Sequence, residues 1–217
     1  MRFGLSLPMQ HPVGDDMSQR FAELLEMVRL ARQVGFSHVS ASQHYLAAPF
    51  QYMQPLPVLA RAAAEAGQMT LGTGIMLLAL QHPVDVAESI ATLDVICGGR
   101  LVFGVGLGYR DVEFDAFGIP RGRRLSRFLE ALEVVRRLWT EERVTFQGEH
   151  FRLKDVGLTM RPLQKPCPPI VVAASSDRMV QRVARIGDAW TIAGHATLAT
   201  LERQVALYRA ALEGEGK

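Results

Sequence analysis

The chain has 217 residues, 48% of them apolar, and its 24 lysines and arginines nearly balance 22 acidic residues for a formal net charge of +2. That balance gives no electrostatic case for nucleic acid, and no stretch is long and apolar enough to span a bilayer, so neither nucleic acid nor membrane is an expected partner. The two cysteines, Cys97 and Cys167, form no CxxC pair and suit a reducing compartment, with the cytoplasm as the default.

Strand-like and helix-like segments alternate along the whole chain. Phe3 to Pro8 reads as a short buried strand that begins at once, with no visible signal peptide. A helix follows, with Phe21, Leu24, Leu25, Val28, Ala31 and Val34 on one face and Gly35 as its stop. Ser37 to Ser42 is the second strand, Leu56 to Ala66 an alanine-rich helix ended by Gly67, and Met69 to Leu80 the third strand region. Pro83 suits the first turn of a helix running to Cys97, which Gly98-Gly99 breaks. Leu101 to Val105 is the fourth strand and Arg124 to Trp139 a long amphipathic helix.

The rhythm then changes. Residues 144–146 and 150–153 around a Gln147-Gly148-Glu149 turn predict a β-hairpin inserted after the fourth unit. Prolines 162, 166, 168 and 169 mark an extended return. Ile170 to Ala174 is the fifth strand, Ser176 to Ile186 its helix, Ala189 to Ala193 the sixth strand and Thr197 to Leu212 the last helix. This α/β alternation predicts a parallel sheet with helical crossovers, a TIM-type (β/α)8 barrel with six of its eight units present. An open doubly wound sheet is the alternative. Residues 1–217 read as one domain lacking the last two βα units, whose absence would leave two sheet edges to cover.

In such barrels chemistry sits at the carboxyl ends of the strands. Gly104, Gly106 and Gly108 end strand four and read either as a ligand-facing turn or as tight packing; the spacing is neither GxGxxG nor a Walker loop. His44 follows strand two, where an imidazole suits acid–base work, although a lone histidine is more often structural. His82, before Pro83, reads as a loop hydrogen-bonding residue. Ser175-Ser176-Asp177 precedes a helix and reads equally as an anion site or an N-cap. Gly72-Thr73-Gly74-Ile75 reads either as plain packing or as a bulge or close backbone approach to a ligand. Arg121, Arg123 and Arg124 read as a solvated cluster or a contact to an anionic tail. The histidines lack metal-ligand spacing, so no metal is expected. No GxSxG elbow or Cys-His pair supports covalent hydrolysis, and the side chains suit an enzyme whose cofactor carries the chemistry.

Taken in order, Leu71-Gly72-Thr73-Gly74-Ile75, His82-Pro83-Val84, Ala91-Thr92-Leu93-Asp94, Gly98-Gly99-Arg100-Leu101, Gly104 to Gly108, Glu113-Phe114, Phe117-Gly118, Pro169-Ile170-Val171 with Ser175-Ser176, and Gly187-Asp188-Ala189-Trp190 resemble the bacterial luciferase-like flavin oxidoreductases over the whole chain. The resemblance implies a TIM-type barrel binding reduced FMN, or the deazaflavin F420, at its carboxyl mouth. It implies His44 as catalytic, Ser175 and Ser176 as phosphate contacts, and Thr73, Gly74, Ile75, Gly106 and Gly108 as cofactor neighbours. It also implies a non-proline cis peptide near Gly74-Ile75. Gln43 departs from the acidic residue that many relatives carry before the histidine. The implied activity is monooxygenation of a small organic substrate by reduced FMN and O2, with a flavin reductase as partner and a homodimer as assembly. F420-dependent hydride transfer and a shortened, non-catalytic flavin-binding protein are the alternatives.

Overall fold

The computed structural model describes residues 2–217 except Ala193 and His195. The elements are β1 (Gly4–Ser6), β2 (Gln10–Pro12), α1 (Met17–Gln33), β3 (His38–Ala41), β4 (Phe50–Tyr52), α2 (Pro55–Ala62), β5 (Thr70–Thr73) and β6 (Met76–Leu77). They continue with α3 (Pro83–Ile96), β7 (Leu101–Gly106), α4 (Asp111–Ala116), α5 (Arg124–Thr140), β8 (Val144–Gln147), β9 (Arg152–Val156), β10 (Ile170–Ala173), α6 (Asp177–Ile186), β11 (Ala189–Thr191) and α7 (Leu198–Gly214).

The main sheet runs β1-β3-β5-β7-β10-β11, with every neighbouring pair parallel. Spatial order follows chain order without reversal. A doubly wound sheet changes direction partway, so the wrap is that of a partial (β/α) barrel. Among the described residues β1 and β11 each have one strand neighbour and form the two edges.

Alternation along the strands sorts the two faces. Val39, Ala41, Leu71, Leu101, Phe103, Val105, Ile170 and Val172 are buried towards the helices. Helix α1 supplies Leu24, Leu25, Val28 and Ala31, and α5 supplies Phe128, Ala131, Val135, Leu138 and Trp139. The Trp139 ring meets Phe103 edge to face at 5.5 Å, and its indole N–H donates to the Ala87 carbonyl of α3 at 3.0 Å. Burial of each such large side chain contributes roughly 1.5–3 kcal/mol. The opposite, concave face carries small residues: Gly4, His38 and Gly72 crowd together, Ser40 lies under Gly74, and Gly106 neighbours Ala173. This face is open, with Gly4 and Ser6 exposed.

The third strand region is interrupted. Leu71 and Gly72 pair with Leu101 and Val102, and Met76 and Leu77 pair with Val105 and Gly106. The chain thus takes four steps from Gly72 to Met76 against three from Val102 to Val105, a bulge of one residue. It holds the cis peptide Gly74-Ile75 that the resemblance implied. Leu78–Leu80 then form a short 3-10 turn.

Several boundaries differ from the sequence reading. Helix α2 ends at Ala62, four residues short of Ala66, because Ala63 to Glu65 turn towards Gly67, whose φ is +58°. The small pair β2–β4 and helix α4 were missed; each is too short to show a hydrophobic period. Strands β8 and β9 pair antiparallel with an irregularity between Val144 and Phe146; β8 runs one residue further than the sequence suggested, and β9 starts two residues later, at Arg152, and ends three later, at Val156. Strand β11 ends at Thr191; the expected sixth strand ran on to Ala193, which lies outside the described residues. Helix α7 buries its apolar face only in part: Leu198 is 70% exposed, Leu201, Leu207 and Leu212 are partly buried, and the fully buried residue of the helix is Gln204.

Candidate active site

The carboxyl end of β3 runs into Ser42-Gln43-His44-Tyr45. The Gly74 N–H donates to the Ala41 carbonyl and the Gln43 N–H to the Ile75 carbonyl, so the bulge and the His44 segment are tied together. The His44 side chain is about a quarter exposed, and its Nδ1 lies 2.9 Å from Oε1 of Glu113, which is fully buried on α4. A carboxylate only accepts, so the Nδ1–H donates, and the neutral form of the ring then carries its lone pair on Nε2. The same Oε1 accepts the Tyr45 N–H at 2.9 Å and faces Arg110 Nη1 at 3.4 Å.

Arg110 also donates to the Tyr45 and Leu46 carbonyls, at 2.8 and 3.1 Å. That grip holds Leu46 at φ +48°, a left-handed conformation costing roughly 1–2 kcal/mol for an L-residue. Tyr52 and Tyr109 pack edge-on against His44, with centroids 5.6 and 5.7 Å away. Burial pushes the Tyr45 and Tyr52 phenols up, only partly offset by hydrogen bonds to Gln81 and Ser42. Both phenols therefore stay neutral at ordinary pH.

The bulge occupies the room that the strand-four glycines leave. The Thr73 hydroxyl donates to the Gly104 carbonyl at 2.6 Å, and a Cβ at Gly104 would fall on the Thr73 carbonyl oxygen. A Cβ at Gly106 would sit 2.5 Å from Ile75 Cδ1. Gly104 and Gly106 are thus tight-packing glycines whose space Thr73 and Ile75 fill, while Ile75 stays partly exposed on the concave face. Gly108 sits at φ +76° against the Phe114 ring, where β7 turns towards α4.

Across the mouth, Ser175 and Ser176 are exposed ahead of α6. Ser176 occupies the N-cap position but makes no side-chain cap bond, so its hydroxyl is not spent on the helix. Asp177, in the first turn, is paired with Arg203 and accepts from Gln204 Nε2 at 3.1 Å. The order β3-β5-β7-β10 therefore brings His44, the Thr73–Ile75 bulge, Gly106, Gly108 and Ser175–Ser176 to one rim.

Other candidates lie elsewhere in the fold. His82 caps α3, its Nδ1 accepting the Val84 N–H at 3.4 Å. Arg121 pairs with Asp111, Arg123 with Glu149, and Arg124 donates to the Arg121 carbonyl. Glu130, Glu149 and His150 group their ligand atoms within 4.8 Å. Glu130 already accepts three backbone N–H groups there and His150 Nε2 contacts Ser126 Oγ, which makes the group a clamp on the hairpin turn. A groove of about 270 Å³ between α2 and α3, lined by Leu56, Ala60, Thr92 and Ile96, lies on the outer helical layer.

Sequence reasoning gave Glu113 no role. Its one signal was its place in the Glu113-Phe114 pair just beyond the glycine-rich strand end.

The model of the luciferase-like monooxygenase family matches residues 1–217, and the chain belongs to that family. It is 34% identical over 179 residues to an F420-dependent glucose-6-phosphate dehydrogenase of Intrasporangium calvum, covering 76% of this chain and 52% of that protein. It is 31% identical over 183 residues to the 4-hydroxyprotoasukamycin monooxygenase of Streptomyces nodosus subsp. asukaensis, covering 84% and 49%. The crystal structure of monooxygenase RslO1 from Streptomyces bottropensis superposes with a TM-score of 0.92 at 34% identity, covering all of this chain and 67% of that one. The chain spans about half the length of the curated relatives it matches. No helix among the described residues is long and apolar enough to cross a membrane.

Proposed function

We propose that this chain is a flavin-dependent oxidoreductase that works with reduced FMN and O2 on a small organic substrate. The observation that carries this reading is the His44–Glu113 pair, a proton-handling group with a fixed ring orientation at the carboxyl rim of the sheet. The residues present fit a flat, phosphate-bearing cofactor. Ile75 on its bulge, beside Gly106 and Gly108, offers a smooth wall for a ring. The uncommitted Ser176 hydroxyl, Ser175 and the N-terminus of α6 offer donors to a phosphate. When bound, the reduced cofactor supplies the electrons.

The chain's own residues do the rest. Glu113 holds the Nδ1–H, so His44 Nε2 takes up or returns a proton at the mouth. Tyr52 and Tyr109 pack against the imidazole and restrict its ring orientation. We read residues 1–217 as one domain with six of the eight units of a closed barrel and the β8–β9 hairpin as its insertion. A separate cytoplasmic flavin reductase would supply the cofactor, and a homodimer is the expected assembly.

F420-dependent hydride transfer is the second reading, favoured by the 34% identity to two proteins named as F420-dependent dehydrogenases. Parallel fluorescence titrations with FMN and F420 separate the two. Tight FMN binding followed by substrate-coupled oxygen uptake supports the first reading, and tight F420 binding with weak FMN binding replaces it. Binding without turnover on any substrate leaves a non-catalytic flavin-binding protein. Under the leading reading His44→Ala lowers turnover far more than cofactor affinity, and equal turnover removes His44 from the mechanism.

A further inference from the structure

The residue before His44 is a buried glutamine, 4% exposed, at the point where a charged side chain would have been expected from the resemblance. Its carboxamide is used at both ends. Oε1 accepts the Leu77 N–H of β6 at 2.9 Å. Nε2 donates to the Tyr45 hydroxyl at 2.9 Å and to Gln54 Oε1 at 3.2 Å. Gln54 Nε2 then donates to the His44 carbonyl at 2.9 Å, and Gln81 Nε2 donates to the same Tyr45 hydroxyl at 2.7 Å. The backbone donor at Leu77 fixes which end of Gln43 is oxygen.

The peptide group after His44 is held at both its atoms, and the chain before it is tied to the bulge. The Gln43 N–H goes to Ile75, the His44 carbonyl to Gln54, and the Tyr45 N–H to Glu113. Gln54 belongs to the same circuit only while Gln43 gives it a donor. A carboxylate at position 43 could accept from Leu77 but would place a second acceptor against Gln54 Oε1. An apolar side chain would leave the buried Leu77 N–H without its partner. A neutral amide of this length meets both demands.

We propose that Gln43 is a positioning residue: its buried carboxamide, acting through Gln54 and Leu77, sets the His44 main chain so that Nδ1–H stays on Glu113 and Nε2 faces the mouth. This rests on the reading of His44 as the proton-handling group, and it extends that reading to a residue that touches neither cofactor nor substrate.

The test uses the ligand-free 217-residue chain. Ring nitrogen shifts of His44 are recorded by two-bond 15N–1H correlation at about pH 8, above the ordinary imidazole range, with His44→Gln to assign the signals. Wild type is expected to show one tautomer, with a protonated Nδ1 and an unprotonated Nε2. Gln43→Met and Gln43→Glu, each checked by circular dichroism for a folded chain, are expected to move both nitrogens towards averaged values. Folded variants that keep the wild-type shifts overturn the proposal. Should neither variant fold, Gln54→Met removes the His44 carbonyl bond at a partly buried position and must give the same averaging; unchanged shifts there overturn it equally. Cofactor titrations are read separately, so failure to bind FMN or F420 counts against the function and not against this role of Gln43.

Discussion

The two sides of the mouth are built on different plans. On the β3–β7 side, His44, Glu113, Arg110, Gln43 and Gln54 are cross-linked by hydrogen bonds, and Glu113 is fully buried. On the β10 side, Ser175 and Ser176 stand exposed, Ser176 caps nothing, and the neighbouring α7 buries little besides Gln204. The first side is preorganised before any ligand arrives. The second supplies donors that a ligand would have to organise. Substitutions on the first side should therefore damage the fold, and those on the second should damage affinity alone.

The sharpest break comes from Glu113→Ala. It leaves the His44 Nδ1–H and the Tyr45 N–H without their acceptor while Arg110 keeps the Tyr45 and Leu46 carbonyls, and each donor so orphaned costs about 1–3 kcal/mol. Urea unfolding should show a loss of that size. A loss below about 1 kcal/mol would mean that the cluster is solvated and the contrast between the two sides is false. Gly104→Ala comes next. The added Cβ meets the backbone carbonyl of Thr73, which cannot swing aside as a side chain can, and overpacking of this kind costs about 1–3 kcal/mol. A neutral result would show that the bulge is free to shift.

The sequence revealed the wrap of the sheet because each unit carries its own period: α1 repeats its apolar face, Pro83 opens α3, and glycines close the turns. It revealed the bulge because Gly72 and Gly74 sit inside a strand. It concealed the contents of the rim. Glu113 lies on a six-residue helix, where no period can accumulate, and its burial depends on partners at residues 44, 45 and 110 that only the fold brings near. Gln43 read only as a departure from the acidic residue that many relatives carry. Its amide proves to be bonded to β6 and to Gln54, contacts spanning 34 and 11 residues of sequence. The glycines of strand four read either as a ligand-facing turn or as tight packing, and at Gly104 and Gly106 the room is taken by Thr73 and Ile75, which lie far off in sequence.

On the β10 side, Ser176→Ala should leave stability within about 0.5 kcal/mol, since the hydroxyl bonds nothing in the helix. Affinity for FMN should fall about tenfold, roughly 1.4 kcal/mol, if the hydroxyl meets the phosphate. Riboflavin, which lacks the phosphate, should bind wild type and variant alike. An equal loss for both ligands would move the phosphate elsewhere.

The smallest effect concerns the floor of the β3 side. His38 lies on the concave face, packed against the positions of Gly4 and Gly72, and burial holds its imidazole below the ordinary 6.5. The unfolded chain therefore takes up this proton first as pH falls. His38 leaves stability intact above about 6.5, lowers it as pH drops from there towards the folded value, and adds no further slope below that. Urea midpoints across this range should fall more in wild type than in His38→Gln. Glu65, held down at about 2 by Arg29 and then Arg61, titrates in both proteins and cancels in the difference. Parallel curves for the two proteins would show that His38 is hydrated through the open face, and that the β3 side is preorganised only at its rim.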